Sequence, residues 1–427
     1  MAEATTLVAA GRFLLIFVAA RLLAELMVRL QLPTILGELL AGTAIGISGL
    51  HLVVPPGSSI APWFTRLLSA LGEVTPEQVS AISDDTYPFL QAVASIGLYS
   101  LLFLTGLESE LDELIAVGGQ ATTVAITGVL LPFALGTAGL MALFHVDLIP
   151  AVFAGASMTA TSIGITASVF NELGMLRTRE GQIVIGAAVL DDILGIVVLA
   201  VVVGLASDGG LQLGPILNLV VSALVFVVAA LGLSRTAAGP FDAVVDQLKA
   251  PGEIVVAGFV VLSVCCFAAT AIGLEAALGA FAAGLILSRS RHTEAIQETV
   301  KPLVSLFATT FFVLIGTGMD LSVLNPTQPD NRSGLVVAVF LLLVAVLGKL
   351  ASGWSYLSQQ PSNRLVVGLG MMPRGEVGLI FLGLGSGAGL LTPSLEAAIL
   401  LMVVGTTFLA PLLLRLVVTP QPDHCLP

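Results

Sequence analysis

The chain has 427 residues, of which 56% are hydrophobic and only 10% charged, and its mean hydropathy is +1.04. Those values exclude a soluble globular protein of this length and leave an all-α polytopic membrane protein, since a backbone crossing lipid must satisfy its own polar groups. The formal net charge of −12 gives no basis for a nucleic-acid partner or for attraction to anionic lipid.

A hydrocarbon core of about 30 Å takes about 20 residues of helix. Thirteen apolar segments follow, the ninth of them short, at 6–30, 33–51, 86–107, 117–145, 148–172, 180–206, 213–234, 252–273, 275–289, 302–320, 332–357, 364–391 and 394–418. The first is longer than a signal-peptide core and lacks a clear small-residue cleavage site, so it reads as a retained helix. Its Arg12, Arg21 and Glu25 are expected to snorkel or pair. Residues 52–85 form the one long connection, and its "APWFTRLLSALG" is amphipathic, either an interfacial helix or a gating lid. Short cytoplasmic loops collect Lys and Arg. Arg29, Arg177, Arg179, Arg235, Lys249, Arg289, Arg291, Lys301, Arg364 and Arg415 all fall on one side of a thirteen-helix count, against Arg66 and Arg332 on the other. The N-terminus is therefore expected outside and the C-terminus inside.

The fifth run, "IPAVFAGASMTATSIGITASVFNELG", crowds Ser157, Thr159, Thr161, Ser162, Thr166 and Ser168 around its middle. Small residues at a packing interface would account for this, and so would a break in the helix. In the sixth, "VLDDILGIVV" carries two adjacent carboxylates, Asp191 and Asp192. Cys265 and Cys266 in the eighth read as small core residues, and with Cys425 they make neither a disulfide framework nor a zinc site. The eleventh carries Lys349 in "VLGKLASGW". The twelfth, "VVGLGMMPRGEVGLIFLGLGSGAGLL", has eight glycines from Gly368 to Gly389, with Pro373, Arg374 and Glu376 together near its centre. Proline and glycine both invite a break, and irregular backbone at membrane depth survives only where it is buried or lines a cavity.

Each intramembrane charge costs about 2.5–3.5 kcal/mol on insertion scales, so Asp191, Asp192, Lys349, Arg374 and Glu376 are functional candidates by default. A structural ion pair would also explain one Asp and one Lys. The order of parts narrows the choice. Helices four to six hold a broken helix followed by the carboxylate helix; helices eleven to thirteen hold the lysine helix followed by a second broken one. Four intervening helices make the triplets enter from opposite sides, the pattern of two inverted repeats whose crossed broken helices meet near the midplane.

Together, "QLPTILGELLAGTAIG", "GLYSLLFLTGLESEL", "TATSIGITASVF", "VLDDILGIVV", "LGKLASG" and "MMPRGEVGLIF" resemble the NapA-like and KefC-like branch of the monovalent cation:proton antiporters, over about residues 15 to 418. The resemblance implies an NhaA/NapA-like antiporter fold and a homodimer in which a core carries the site across the bilayer like an elevator. On this chain it implies a dimerisation domain at 1–116 and 251–330, a core at 117–206 and 331–427, and a linker helix at 207–250. It makes Asp192 the cation ligand and proton carrier, pairs Asp191 with Lys349, and takes hydroxyl and carbonyl oxygens from Thr159, Thr161 and Ser162. Arg374 and Glu376 balance helix-end charges. Adjacent residues point about 100° apart on a helix, so the two carboxylates can divide the work.

The exchange so implied is of sodium or lithium for protons, with potassium as the alternative and no cofactor beyond the transported ions. The Asp-Asp-Lys set implies electrogenic transport, since a buried lysine can release a proton and an arginine cannot. Relatives with Asn before the essential Asp, or Arg in place of the Lys, are usually electroneutral. The chain ends at Pro427, a few residues past its last helix, so the regulatory domain of the potassium-efflux relatives is not expected. A bacterial cytoplasmic or thylakoid-type membrane is the expected host. A sodium-coupled organic-solute symporter could share the fold. A channel finds no filter-like carbonyl repeat, and an enzyme finds no cluster among His51, His145, His292 and His424.

Overall fold

The computed structural model describes residues 2–30, 32–72, 75–109, 111–206, 213–248, 252–319, 329–356, 362–374, 378, 381–382, 385–386 and 389–418. All regular structure among them is helical: α1 (Ala2–Arg29), α2 (Thr34–Ile45), α3 (Pro62–Gly72), α4 (Pro76–Glu108), α5 (Leu111–Ala116), α6 (Gly118–Phe144), α7 (Leu148–Ser157), α8 (Ile163–Glu172) and α9 (Arg179–Ala206). There follow α10 (Leu213–Thr236), α11 (Ala238–Val245), α12 (Glu253–Ala271), α13 (Ala276–Leu287), α14 (Thr293–Thr317), α15 (Pro329–Ser352), α16 (Arg364–Gly370) and α17 (Pro393–Val417). Among the described residues seven helices are long and apolar enough to cross a membrane, and α10 with α11, bent by 57° at their junction, makes an eighth candidate. The chain divides into two compact units. One comprises Met1–Leu107, Gly232–Thr270 and Glu275–Gln328, the other Glu108–Leu231, Ala271–Leu274 and Pro329–Pro427.

In the first unit α2 lies against α1 and α14. Lipid supplies no hydrophobic drive for helices to associate, so close backbone approach has to do it. A Cβ at Gly42 would overlap the carbonyl oxygen of Val313, and one at Gly316 the carbonyl oxygen of Leu39. The run expected to continue to residue 51 stops at Ile45, where the amides of Leu52 and Val53 both return to the Ile45 carbonyl at 2.8 and 3.0 Å. The amphipathic stretch is α3, which buries Phe64 and Leu68 among residues of α1 and α4 and turns Trp63, Leu67 and Leu71 outward. The third run begins at Pro76 rather than at residue 86, because Thr75 and Gln78 cap α4 reciprocally, amide to side chain in both directions, at 2.8 and 3.3 Å.

Two expectations about side chains are corrected. Arg12 does not snorkel: it is 1% exposed and donates to the Ser83 carbonyl at 2.6 Å and the Thr86 hydroxyl at 3.2 Å. It lies on the face of α1 that meets α4, where its stem cannot reach water. Cys265 and Cys266 are half-buried and unbridged rather than core residues, although α13 approaches the backbone beside them closely at Gly279. Glu25 does pair, with Arg29 at 3.1 Å.

In the second unit α6 packs against α9 and α15, and α17 against α15. Its apolar core gathers Phe153 and Met158, Leu341 and Ala345, and Ile399 and Met402. A Cβ on Gly348 would come within 2.8 Å of the Pro132 ring, so the residue before Lys349 has to be bare for α15 to seat against α6. That seating sets the depth at which the lysine enters the unit.

Candidate functional site

The fifth run is interrupted in the structure. Helix α7 ends at Ser157, α8 begins at Ile163, and residues 158–162 run irregularly between them. The twelfth is interrupted where expected: α16 stops at Gly370, and Met371 to Arg374 leave the helix just before and after Pro373. Helix ends leave carbonyls and amides unpaired, and in a low-dielectric interior each such group is costly. Here each break supplies what the other lacks. The Ser162 amide donates to the Pro373 carbonyl at 2.8 Å; the Thr161 hydroxyl donates to the Met371 carbonyl at 2.9 Å and the Thr166 hydroxyl to the Gly370 carbonyl at 3.0 Å. In return the Arg374 guanidinium donates through Nη1 to the Ala160 carbonyl at 2.8 Å. The hydroxyl of Thr407 on α17 donates to the Arg374 carbonyl.

Arg374 is fully buried. Helices α7 and α16 both bring their C-terminal ends to this crossing, where partial negative charge accumulates, and a fixed cation offsets it. Glu376, expected beside it, lies outside the described residues. Arg374 Nε and Nη2 have no hydrogen-bond partner among the described residues, and the same is true of Asp191 Oδ1.

Helix α9 is unbroken through both carboxylates. It comes close to the first break, since a Cβ at Gly195 would touch that of Ala160 at 3.6 Å. Asp191 Oδ2 accepts from the Lys349 ammonium at 3.0 Å, and both side chains are 0% exposed. Lys349 Nζ donates in addition to the Thr161 hydroxyl at 2.8 Å. Asp192 is buried on the next position of the same helix, within electrostatic reach of Lys349. Of the three hydroxyls expected to serve a cation at the first break, Thr159 turns back on the Ala156 carbonyl at 2.7 Å. Thr161 is taken up by Lys349 and Met371, and Ser162 stands at the start of α8 without capping it.

The structure thus gathers Asp191, Asp192, Lys349, Thr161, Ser162 and Arg374 at one crossing in the second unit. Sequence reasoning assigns no role to Thr407, which holds the backbone of Arg374, or to Thr166, which holds that of Gly370. A Thr pair in the apolar run "VVGTTFLAP" is the signal that points to the former. Chemically, one carboxylate is committed to a lysine and a second lies beside it. A proton and a cation are the two small ligands that can neutralise a buried carboxylate.

A family model described as sodium/hydrogen exchanger, transmembrane, matches residues 13–419. The chain is 45% identical over 421 residues to the high-affinity Na+/H+ antiporter NhaS3 of Synechocystis sp., covering 97% of this chain and 91% of that protein. It is 28% identical to a Na+/H+ antiporter of Enterococcus hirae, covering 95% of this chain and 97% of that one. Among solved structures, the sodium proton antiporter MjNhaP1 from Methanocaldococcus jannaschii at pH 8 superposes with a TM-score of 0.62 at 18% identity, covering 97% of this chain and 99% of that one. At that identity the likeness speaks for the fold.

Proposed function

The chain belongs to the sodium/hydrogen exchanger family, and from that premise we propose that it is a secondary active antiporter exchanging sodium for protons across the bilayer in which its helices lie. The observation that carries the site assignment is the fully buried Asp191–Lys349 pair at 3.0 Å with a second buried carboxylate, Asp192, beside it. Asp192 is the carrier. Protonated, it crosses neutral; deprotonated, it requires a cation, so the two ligands exclude one another and a proton gradient drives sodium the other way. Lys349 supplies a second proton when cation binding breaks its pair with Asp191, which makes the exchange electrogenic. Backbone carbonyl oxygens of the break at Thr159 to Ser162 complete the shell of a hard cation, and Arg374 with Glu376 balances the helix ends.

The same reading covers the rest of the architecture. Helices α7 and α16 belong to two inverted repeats of a thirteen-crossing fold, with the N-terminus outside and the C-terminus inside. The second compact unit corresponds to the transport core and the first to a homodimerisation domain, and alternating access is an elevator movement of the core. Two crossed breaks that exchange hydrogen bonds support the repeat reading, and the division of the chain supports the domain reading. No cofactor is called for beyond the transported ions. The host is a bacterial cytoplasmic or thylakoid-type membrane. Potassium exchange is not favoured, because sodium is the cation in the family description and in the Synechocystis and Enterococcus relatives.

The test uses purified protein in liposomes with an acidic lumen and a trapped pH dye, to which sodium, lithium, potassium or choline is added outside. Sodium and lithium should alkalinise the lumen in the wild type, and Asp192→Asn should respond no more than empty liposomes. If correctly inserted protein moves no protons with any alkali cation, the antiporter reading is lost and a sodium-coupled organic solute becomes the alternative.

A further inference from the structure

The place of Thr161 in the first break would make it a cation ligand, but its hydroxyl is occupied otherwise. A hydroxyl has one proton to give and lone pairs to receive. The proton of Thr161 goes to the Met371 carbonyl at 2.9 Å, and the oxygen receives the Lys349 ammonium at 2.8 Å. The result is a chain from α9 through α15 to both breaks: Asp191 Oδ2, Lys349 Nζ, Thr161 Oγ1, Met371 carbonyl. Every side chain in it is at least nine-tenths buried.

From this geometry we infer that Thr161 is a positioning residue for Lys349, holding the ammonium when Asp191 lets it go and linking it to the backbone of the opposite break, rather than a side-chain ligand of the transported cation. The inference rests on the antiporter reading and deepens it. An ammonium and an alkali cation on the same oxygen are like charges a few ångströms apart in a medium that screens poorly, so one occupant excludes the other. Lys349 has little else to hold it. Among the described residues the charged groups that act on it are Asp191 and Asp192 from α9 and Arg374 from the second break, while α6 brings the bare backbone of Gly128 against its ammonium. Once cation binding loosens the Asp191 pair, Thr161 is the hydrogen-bond acceptor the ammonium still holds among the described residues.

Removing an acceptor from a charged donor disfavours the charged form, so without the Thr161 hydroxyl Lys349 gives up its proton at lower pH. The experiment compares wild type, Thr161→Val and Thr161→Ser in liposomes. It measures the pH of half-maximal exchange, the KM for sodium, and protons moved per sodium from the membrane potential at which flux stops. Thr161→Val should move the pH profile about one unit to the acid side and bring the proton-to-sodium ratio at neutral pH down towards one, with KM for sodium not raised at any pH and lowered where Lys349 is still charged in the wild type; Thr161→Ser should restore all three. In a Lys349→Gln background, adding Thr161→Val should change nothing further.

If Thr161→Val instead raises the KM for sodium by about tenfold or more with the pH profile in place, Thr161 is a cation ligand and the inference is wrong. It is equally wrong if the effects of Thr161→Val multiply with those of Lys349→Gln. Should the valine variant fail to insert, Thr161→Cys, a weaker acceptor of similar size, should give a smaller shift in the same direction. Wild type that moves no protons under any cation would count against the antiporter reading itself, and is seen before any variant is compared.

Discussion

Lys349 and Asp191 are both fully buried and 3.0 Å apart, which makes their energetics asymmetric. Bringing two charges out of water costs several kcal/mol per ion, and the attraction between them offsets much of it, so a buried pair adds little net stability while a single uncompensated charge costs about 3–5 kcal/mol. Lys349→Gln should therefore lower the thermal midpoint of the purified protein markedly, and adding Asp191→Asn should recover most of the loss. A double variant as unstable as the single one would mean that the lysine stabilises the fold through its packing on α6 rather than by neutralising Asp191. Neither variant is expected to keep electrogenic exchange. The pair can be read from the sequence because charges in apolar runs are rare and expensive. The partner of Thr161 cannot. Which way a side chain points from an irregular segment is decided by the chain it meets, and here the Met371 carbonyl lies 210 positions away. Arg12 escapes a sequence reading for a related reason: an arginine early in an apolar run looks able to reach the interface until the face of α1 it occupies is known to meet α4.

At the scale of elements, the two breaks are legible from Pro373 with its glycines and from the crowded hydroxyls, because these residues weaken a helix whatever surrounds them. Helix starts are less so. The first turns of α4 are polar and read as loop by hydropathy, although Thr75 and Gln78 have the spacing of a capping box. The end of α2 depends on contacts that hydropathy does not encode, since Leu52 and Val53 fold back on the Ile45 carbonyl. What most tightly constrains α2 is its approach to α14. Both helices present glycine at the crossing, and a side chain on either would have to displace backbone of the other. Overpacking of this kind typically costs about 1–3 kcal/mol. Gly42→Val should lower the thermal midpoint by several degrees in differential scanning fluorimetry, and Gly42→Ala by less. Melting curves that coincide with wild type for both would show that the α2–α14 contact yields without cost, and that the close approach is not what holds the first unit together.

For the whole molecule, the competition at Asp192 has a quantitative signature that no arrangement of helices alone would produce. If sodium binds only the deprotonated carboxylate, the apparent KM for sodium is the intrinsic constant multiplied by the ratio of all carrier to deprotonated carrier. Well below the pH at which Asp192 loses its proton, that ratio falls about tenfold for each unit of rising pH when one proton competes. Above that pH the ratio approaches one and the KM levels off. A second proton lost on cation binding, from Lys349, steepens the acidic limb beyond about tenfold per unit over the range where the lysine is still charged. The expected plot of log KM against pH thus descends with a slope of about one to two and then flattens. The maximal rate should fall at high pH, because the return of the carrier needs Asp192 to be protonated. Initial rates in liposomes at six or more pH values, with sodium varied at each, give both curves from one preparation. In Lys349→Arg, which keeps a positive charge beside Asp191 but cannot release a proton, the acidic slope should not exceed one. A KM that stays independent of pH over the same range in which the maximal rate falls for want of protonated Asp192 would mean that proton and sodium do not share that carboxylate, and the two would then have to be coupled through movement of the core rather than through exclusion at a single carboxylate.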